Sequence, residues 1–394
     1  MNQVSSRGFP VTAWSLVCGL GGDLGTAMEA LRKGEPRFSP PPPETPFDTV
    51  CGTVPDDIAH LEGELARFDS RNNRFLKQAL LPLESAARAA RERWGPGRVG
   101  ICVGSSTASM DEIEKAFREY TADGMALDGF DVLMHGSAHG MAQVLRGLTG
   151  FEGPVSIVSN ACASGGKSFA SAKRWIEAGL VDAVLVGGAD SLCQTTLRGF
   201  RALALLSEEP GRPFSRDRNG INIGEGAALA LLERSGDGPR LLGTGESSDA
   251  HHMTTPDPEG RGAQSVMQQA LFDGGRSVAD VGYVNAHGTG TAFNDAMEGK
   301  AIRSVFGSAL DPLVVSTKGY VGHTLGAAGA IEAVFALESL MRGWVPASAG
   351  ADPVDPTIEI LVPTKPCDIA LDAVLSNSFA FGGSNVSLLF GAPE

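Results

Sequence analysis

The sequence predicts an α/β fold with largely parallel, buried sheets. Short apolar runs rich in Val, Ile and Leu alternate with amphipathic runs of helix length along the whole chain. The apolar runs are continuous, as in strands that helices cover on both faces. The alternation restarts near Leu241, so two similar halves, 1–240 and 241–394, are expected, although no sequence repeat accompanies them.

Val11–Cys18 is the first expected strand, and Gly19–Gly25 turns it into a helix over Thr26–Lys33. The proline run Pro40–Pro43 marks an exposed loop. Asn73–Trp94 has the Ala and Leu spacing of one long amphipathic helix. Strands follow at Arg98–Gly104, Val155–Ser159, Val181–Gly187 and Ala227–Leu232, with a helix at Ala163–Ala178. In the second half, strands are expected at Arg240–Gly243, Val281–Asn285, Leu313–Ser316, Ile358–Val362, Ala373–Asn377 and Val386–Phe390. Helices are expected at Ala263–Phe272, Asp295–Phe306 and Ala327–Met341.

The 394 residues, 42% hydrophobic, suffice for a large core. The net charge of −14 and the lack of a basic stripe argue against a nucleic-acid partner. An acidic partner must dock on a local basic patch against the overall field. The cysteines Cys18, Cys51, Cys102, Cys162, Cys193 and Cys367 form no CxxC pair, and several lie in apolar runs. Disulfides and a thiolate metal site are not expected, and a reducing cytoplasm fits. No basic leader precedes the short, Gly-rich stretch Val11–Leu20, and no run reaches transmembrane length.

Four clusters carry candidate chemistry. In Val158–Lys167 a strand ends, Cys162 follows, and small residues open a helix. A helix N-terminus favours a thiolate, and small neighbours leave room for a bulky group; a buried structural cysteine would look the same. Ala161–Ser168 also fits a relaxed phosphate-binding loop with Asp190 as acidic partner, which keeps an ATPase or kinase open. Gly19, Gly21 and Gly25 miss the dinucleotide-loop spacing.

In Val284–Thr291 a strand feeds His287 into a Gly/Thr loop, with Asp295 and Glu298 following. Alternating hydroxyls suit an extended polar ligand, while a lone His after a strand is often structural. Ser316–Glu332 delivers His323 into a second Gly-rich loop, and Ser376–Asn385 ends a strand in an aromatic, Gly-rich turn. Such a turn either gates a pocket and faces an oxyanion or is an ordinary connection. One Cys and two His at strand ends line up with the ligand crevice of α/β sheets. His251 and His252 lack a third ligand at metal spacing and read as loop residues.

These residues resemble the β-ketoacyl synthase family of the thiolase fold. The resemblance spans Val11–Leu389 and rests on Ala161-Cys162-Ala163, Asn285–Thr289, Lys318 with Gly322-His323, and Phe379–Asn385. Pro213-Phe214 and Gly224-Glu225-Gly226 are also similar to that family, and Arg71–Arg74 looks like the branch acting on discrete carrier proteins. The resemblance implies a five-layer αβαβα core and decarboxylative condensation of an acyl group on Cys162 with a malonyl unit on an acyl-carrier protein. It further implies an oxyanion hole from the N–H groups of Cys162 and Phe381, and enolate stabilisation by His287 and His323. Thr289 and Thr291 would hold the phosphopantetheine arm, Lys318 and Glu332 would order the site around His323, and Phe379 and Phe381 would flank the gate. A homodimer is implied, or a pair with a chain-length-factor subunit; no metal or soluble cofactor is.

Gly290, Gly319-Tyr320, Ala380, Ser384 and Lys167 depart from common residues of the family, and Thr107 falls near its acyl pocket. A cation at Lys167 and an altered gate would change substrate choice. Arg198, Arg201 and Arg74 are candidates for carrier docking or plain surface charges. The rival reading is a non-catalytic chain-length factor, against which stands the presence of Cys162, His287 and His323.

Overall fold

A computed structural model of the chain describes residues 8–55, 58–123, 130, 131, 134 and 137–393. The first half supplies β1 (Phe9–Cys18), α1 (Leu24–Lys33), α2 (Arg71–Leu80), α3 (Glu84–Trp94), β2 (Val99–Gly104), α4 (Met110–Asp123), α5 (His139–Thr149), β3 (Val155–Val158), α6 (Ser164–Glu177), β4 (Ala183–Asp190), α7 (Gln194–Ala202) and β5 (Gly226–Glu233). The second supplies β6 (Arg240–Ser248), α8 (Arg261–Asp273), β7 (Val281–Asn285), α9 (Ala292–Phe306), β8 (Leu313–Val315), α10 (Lys318–Val321), α11 (Ala328–Arg342), β9 (Trp344–Val345), β10 (Cys367–Asp368), β11 (Ala373–Phe379) and β12 (Ser384–Gly391).

Ten strands join in the order β3-β2-β4-β5-β1-β6-β12-β11-β7-β8. Counted from each outer edge, both halves run third, second, fourth, fifth, first. The seam is slight: Phe9 pairs with Leu241 and Pro10 with Arg240. Helices α6 and α11 each touch strands of both half-sheets and lie between them, while α2, α3 and α5 cover one outer face and α8 and α9 the other. This gives the five layers.

Among the strands of this sheet, parallel pairing is confined to β3-β2-β4 and β11-β7-β8. The middle strands pair antiparallel. The expectation of largely parallel sheets fails because burial on both faces gives the same continuous apolar run in either arrangement. The expected helix Asn73–Trp94 is two helices, since Pro82 in the turn Leu81–Leu83 cannot donate an intrahelical bond. Ile358–Val362 forms no strand: Leu361 makes one isolated bridge to Leu313, and a Cβ on Gly299 of α9 would lie 2.4 Å from Ile358. The apolar signal there came from plugging a helix. Among the described residues, no helix is long and apolar enough to cross a membrane.

The central helices meet backbone to backbone. A Cβ on Gly165 would come within 2.7 Å of Ala330 N, and one on Gly329 within 2.6 Å of Gly166 N. The small residues after Cys162 serve this crossing, not an open space for a bulky group. Phe169 of α6 meets Phe390 of β12 edge-on, with centroids 6.0 Å apart. Phe169→Ala should therefore cost about 3–5 kcal/mol of stability, read from urea unfolding, through the cavity left between the central layer and the second half-sheet.

Candidate active site

Four loops at strand ends converge. After β3, Ala161 takes φ 43°, left-handed for a residue with a Cβ. Ser164 holds this bend: its hydroxyl donates to Ala161 O (2.6 Å) and accepts from Asn160 N (2.8 Å). The bend aims Cys162 out of the layer, one residue before the cap of α6.

His323 Nε2 lies 2.9 Å from Cys162 Sγ. The His287 ring stands edge-on to it, with centroids 5.2 Å apart, and Phe379 flanks His287 at 6.0 Å. Cys162, His287 and His323 are buried, and neither imidazole Nδ1 has a hydrogen-bond partner. Lys318 and Glu332 form a buried ion pair beside them. It contacts neither ring through a hydrogen bond, so any ordering of His323 by this pair is electrostatic.

Burial pushes the Cys162 thiol up to about 12, against the Lys318 charge and backbone N–H groups of Phe381 and Cys162 itself. Against the expectation of a thiolate favoured by the helix end, burial of the thiol works in the opposite direction and is the larger effect. Burial also holds both imidazoles well below the usual histidine range, with Lys318 adding to it. A neutral imidazole therefore faces a neutral thiol. The sulfur and ring nitrogens lie within 4.8 Å of one another, a donor set that also suits a soft metal ion. The Lys318 charge acts on all three groups, which opposes a dication.

Glu298 of α9 accepts from His287 N (2.9 Å) and Gly288 N (2.7 Å), which fixes where His287 leaves β7. In sequence it shows only as an acid that follows the His287 loop. Thr289 and Thr291 hydroxyls lie 2.8 Å apart and line the cleft above the histidines.

That cleft encloses about 980 Å³ out to solvent and also takes in Phe200, Leu205, Ile221, Phe293, Phe379 and Phe381. Phe381 stacks on Phe200 at 5.6 Å. His252, expected as a loop residue, forms part of the wall together with Met253, Thr254 and Thr255. Met253 O accepts from Gly382 N (2.7 Å) and Gly383 O from Asp249 N (2.8 Å), tying this loop to the turn at Ala380–Gly383.

Other expected residues lie elsewhere. Thr107 is not a lining residue of the cleft; its hydroxyl donates to buried Asp190 (2.8 Å). Lys167 pairs with Glu246 (3.0 Å) and adds no free cation at the nucleophile. Arg74 is bound by Asp69, so its charge is already used. Arg198 and Arg201 are exposed on α7 beside cleft-lining Phe200. Arg201 lies 3.6 Å from Glu208.

Burial pushes Glu298 up to about 7 from an ordinary 4.5, against its backbone donors. The folded state then holds this proton more tightly than the unfolded chain. Its contribution to stability is complete below the ordinary value and is lost as pH rises through the folded one. The difference is up to about 3 kcal/mol. Glu298→Gln should flatten that part of the fall in the urea midpoint between pH 4.5 and 7.

Residues 10–237 match the family description "Beta-ketoacyl synthase, N-terminal domain" and residues 240–352 match "Beta-ketoacyl synthase, C-terminal domain". The chain is 32% identical to 3-oxoacyl-[acyl-carrier-protein] synthase 2 of Staphylococcus aureus, covering 96% of this chain and 97% of that one. It is 33% identical to nodulation protein E of Rhizobium leguminosarum bv. trifolii, covering 96% and 98%. In structure it is similar to a chain of the complex between the ketosynthase ApeO and its chain length factor ApeC from Xenorhabdus doucetiae, with TM-score 0.88, 35% identity and full coverage of both chains. A cysteine and two histidines at the strand ends of a doubled, helix-centred sheet thus sit in a chain matched over nearly its whole length, and the protein belongs to the β-ketoacyl synthase family.

Proposed function

We propose that this protein joins an acyl group to a malonyl unit, each delivered on an acyl-carrier protein, in fatty-acid or polyketide-type synthesis. The observation that carries the reading is the 2.9 Å contact between Cys162 Sγ and His323 Nε2 inside a cleft that Phe381 borders.

In the first half-reaction the thiol proton moves to His323 Nε2 as Sγ attacks the acyl thioester. Its carbonyl oxygen takes negative charge beside the N–H groups of Cys162 and Phe381. The intermediate collapses, the carrier thiolate leaves, and it takes the proton from His323. In the second, the malonyl C–C bond breaks, CO₂ leaves, and the electron pair becomes a thioester enolate. N–H groups of His287 and His323 face that oxygen. The unpartnered Nδ1 atoms leave each ring free to carry its proton on Nε2 at this stage. The enolate carbon then attacks the Cys162 thioester, the Cys162 thiolate leaves, and it takes up a proton from solvent to restore the thiol. A thiolate serves as both nucleophile and leaving group, which suits both halves of the cycle.

The halves 1–240 and 241–394 would divide the labour. The first carries the nucleophile, and the second carries both histidines and the gate. Their shared strand order supports this division. Thr289 and Thr291 would hold the phosphopantetheine arm, which the carrier brings, so no cofactor of the enzyme's own enters the scheme. The working form is a homodimer or, as for ApeO, a pair with a chain length factor.

Intact-mass analysis after mixing with acyl-carrier proteins should show an acyl adduct on the wild type and none on Cys162→Ala. No adduct from any donor would sink the condensation reading. The double charge reversal Arg198→Glu with Arg201→Glu should raise KM for the carrier about tenfold by losing two docking charges, with kcat and Cys162 alkylation retained; unchanged carrier kinetics would remove that dock.

A further inference from the structure

The distance between His323 and Cys162 needs a support that the ring itself does not show. Imidazoles in working sites are commonly oriented through a bond to their second nitrogen, and His323 Nδ1 has none. The backbone supplies what the ring lacks. His323 N donates to Asn222 O (2.7 Å), and His323 O accepts from Gly224 N (2.9 Å). On its other side this segment meets Gly52: Gly52 N donates to Ile223 O (3.0 Å), and Gly52 O accepts from Glu225 N (3.0 Å). Three stretches therefore run in parallel, around Gly52, Ile223 and His323.

The packing is too close for side chains. A Cβ on Gly52 would lie 1.8 Å from Val321 O, and one on Gly224 2.1 Å from the same atom. Both glycines therefore press on the residue two before His323.

Buried Glu225 locks this bridge. Its carboxylate accepts from Val54 N (3.1 Å), Leu192 N (3.2 Å) and Arg71 Nε (2.9 Å), and a second Arg71 nitrogen pairs with Oε1. Arg71 comes from α2, in the Arg71–Arg74 stretch, and its side chain is 37% exposed. Two motifs with no part in the chemistry above, Arg71–Arg74 and Gly224–Gly226, are thus one device.

We propose that the Arg71–Glu225 pair is a positioning pair, which sets His323 Nε2 against Cys162 Sγ through the Gly52–Ile223–His323 bridge. The inference rests on the reading of His323 as acceptor of the thiol proton. Without Arg71 the buried carboxylate loses its counter-charge, the bridge shifts, and the imidazole moves off the sulfur. Lysine at this place keeps the charge but loses the two-pronged geometry.

The test is alkylation by iodoacetamide, mapped to Cys162, from about pH 6 to about pH 9.5, in wild type, Arg71→Met and Arg71→Lys, with unfolding curves for each. Arg71→Met should lower the rate per folded molecule at neutral pH by about tenfold, the scale of a displaced catalytic group. It should also move the pH profile upward, and Arg71→Lys should fall between. A lower unfolding temperature with wild-type rate and profile would reduce the pair to a structural ion pair and overturn the proposal. If Arg71→Met does not fold, Arg71→Lys alone decides by the same comparison. Condensation is measured separately: a wild type that is alkylated in this pattern yet makes no carrier-bound product removes the condensation reading and leaves the positioning pair standing.

Discussion

The rest of the structure depends on the backbone-to-backbone crossing of α6 and α11 between the half-sheets. Gly165 and Gly166 of one helix lie against Gly329 and Ala330 of the other, with no room for a further Cβ. Cys162 stands two residues before the first helix, and His323 five residues before the second. Fixing the two helix starts against each other therefore fixes the two reacting groups, which come from opposite halves of the chain. The glycines that look in sequence like space for a ligand are the reason the nucleophile and its base meet. Interiors packed at crystal density allow little adjustment, so the contact is a property of the whole central layer.

Burial sets the chemical character of that contact. Desolvation raises the thiol and lowers both imidazoles, so the resting pair is neutral. Lys318 pulls the thiol down and the imidazoles further down. It thus favours a thiolate beside uncharged rings over an ion pair. A neutral imidazole can accept a proton and then present one. An imidazolium held permanently beside the sulfur could only donate. Reactivity therefore arises when a thioester enters and gives the negative charge a place to go.

Much of this was legible in sequence, and the limits have physical causes. Cys162, His287 and His323 could be found because each follows an apolar strand and precedes small residues, and strand ends in such sheets face one crevice. The strand direction in the middle of the sheet could not be found, because a strand covered on both faces reads alike in either direction. The split between α2 and α3 is marked by Pro82, but the Ala and Leu period continues across it and reads as one helix. Arg74 and Lys167 looked free because their partners, Asp69 and Glu246, are recognisable only once the chain is folded. The loop with His252 and Met253 follows β6, but the apolar run that marks this strand in sequence ends at Gly243, five residues before the strand does, so the strand-end argument does not reach it.

The least legible feature is the shared way in which the site loops are held. The loops around the two histidines, and the segments packed on them, are tied by buried carboxylates that accept backbone N–H groups. Glu298 binds those of His287 and Gly288, and Asp295 those of Gly290 (3.1 Å) and Phe214 (2.8 Å). Asp190 takes Ser106 N, Thr107 N and Gly326 N, joining the loop after β2 to the turn after His323. Glu225 takes Val54 N and Leu192 N. Irregular loops leave N–H groups without ladder partners, and in a dry interior each unpaired donor is costly. A carboxylate satisfies two or three at once and, once buried, tolerates little displacement. Most of these pairings join residues far apart in sequence, up to 171 positions for Val54 and Glu225, so no local pattern announces them. An acid inside an otherwise apolar or glycine-rich stretch is the one trace they leave, as Asp190, Glu225 and Glu298 do. Such a residue in a chain of this architecture is better read first as a loop anchor than as an acid or base of the reaction.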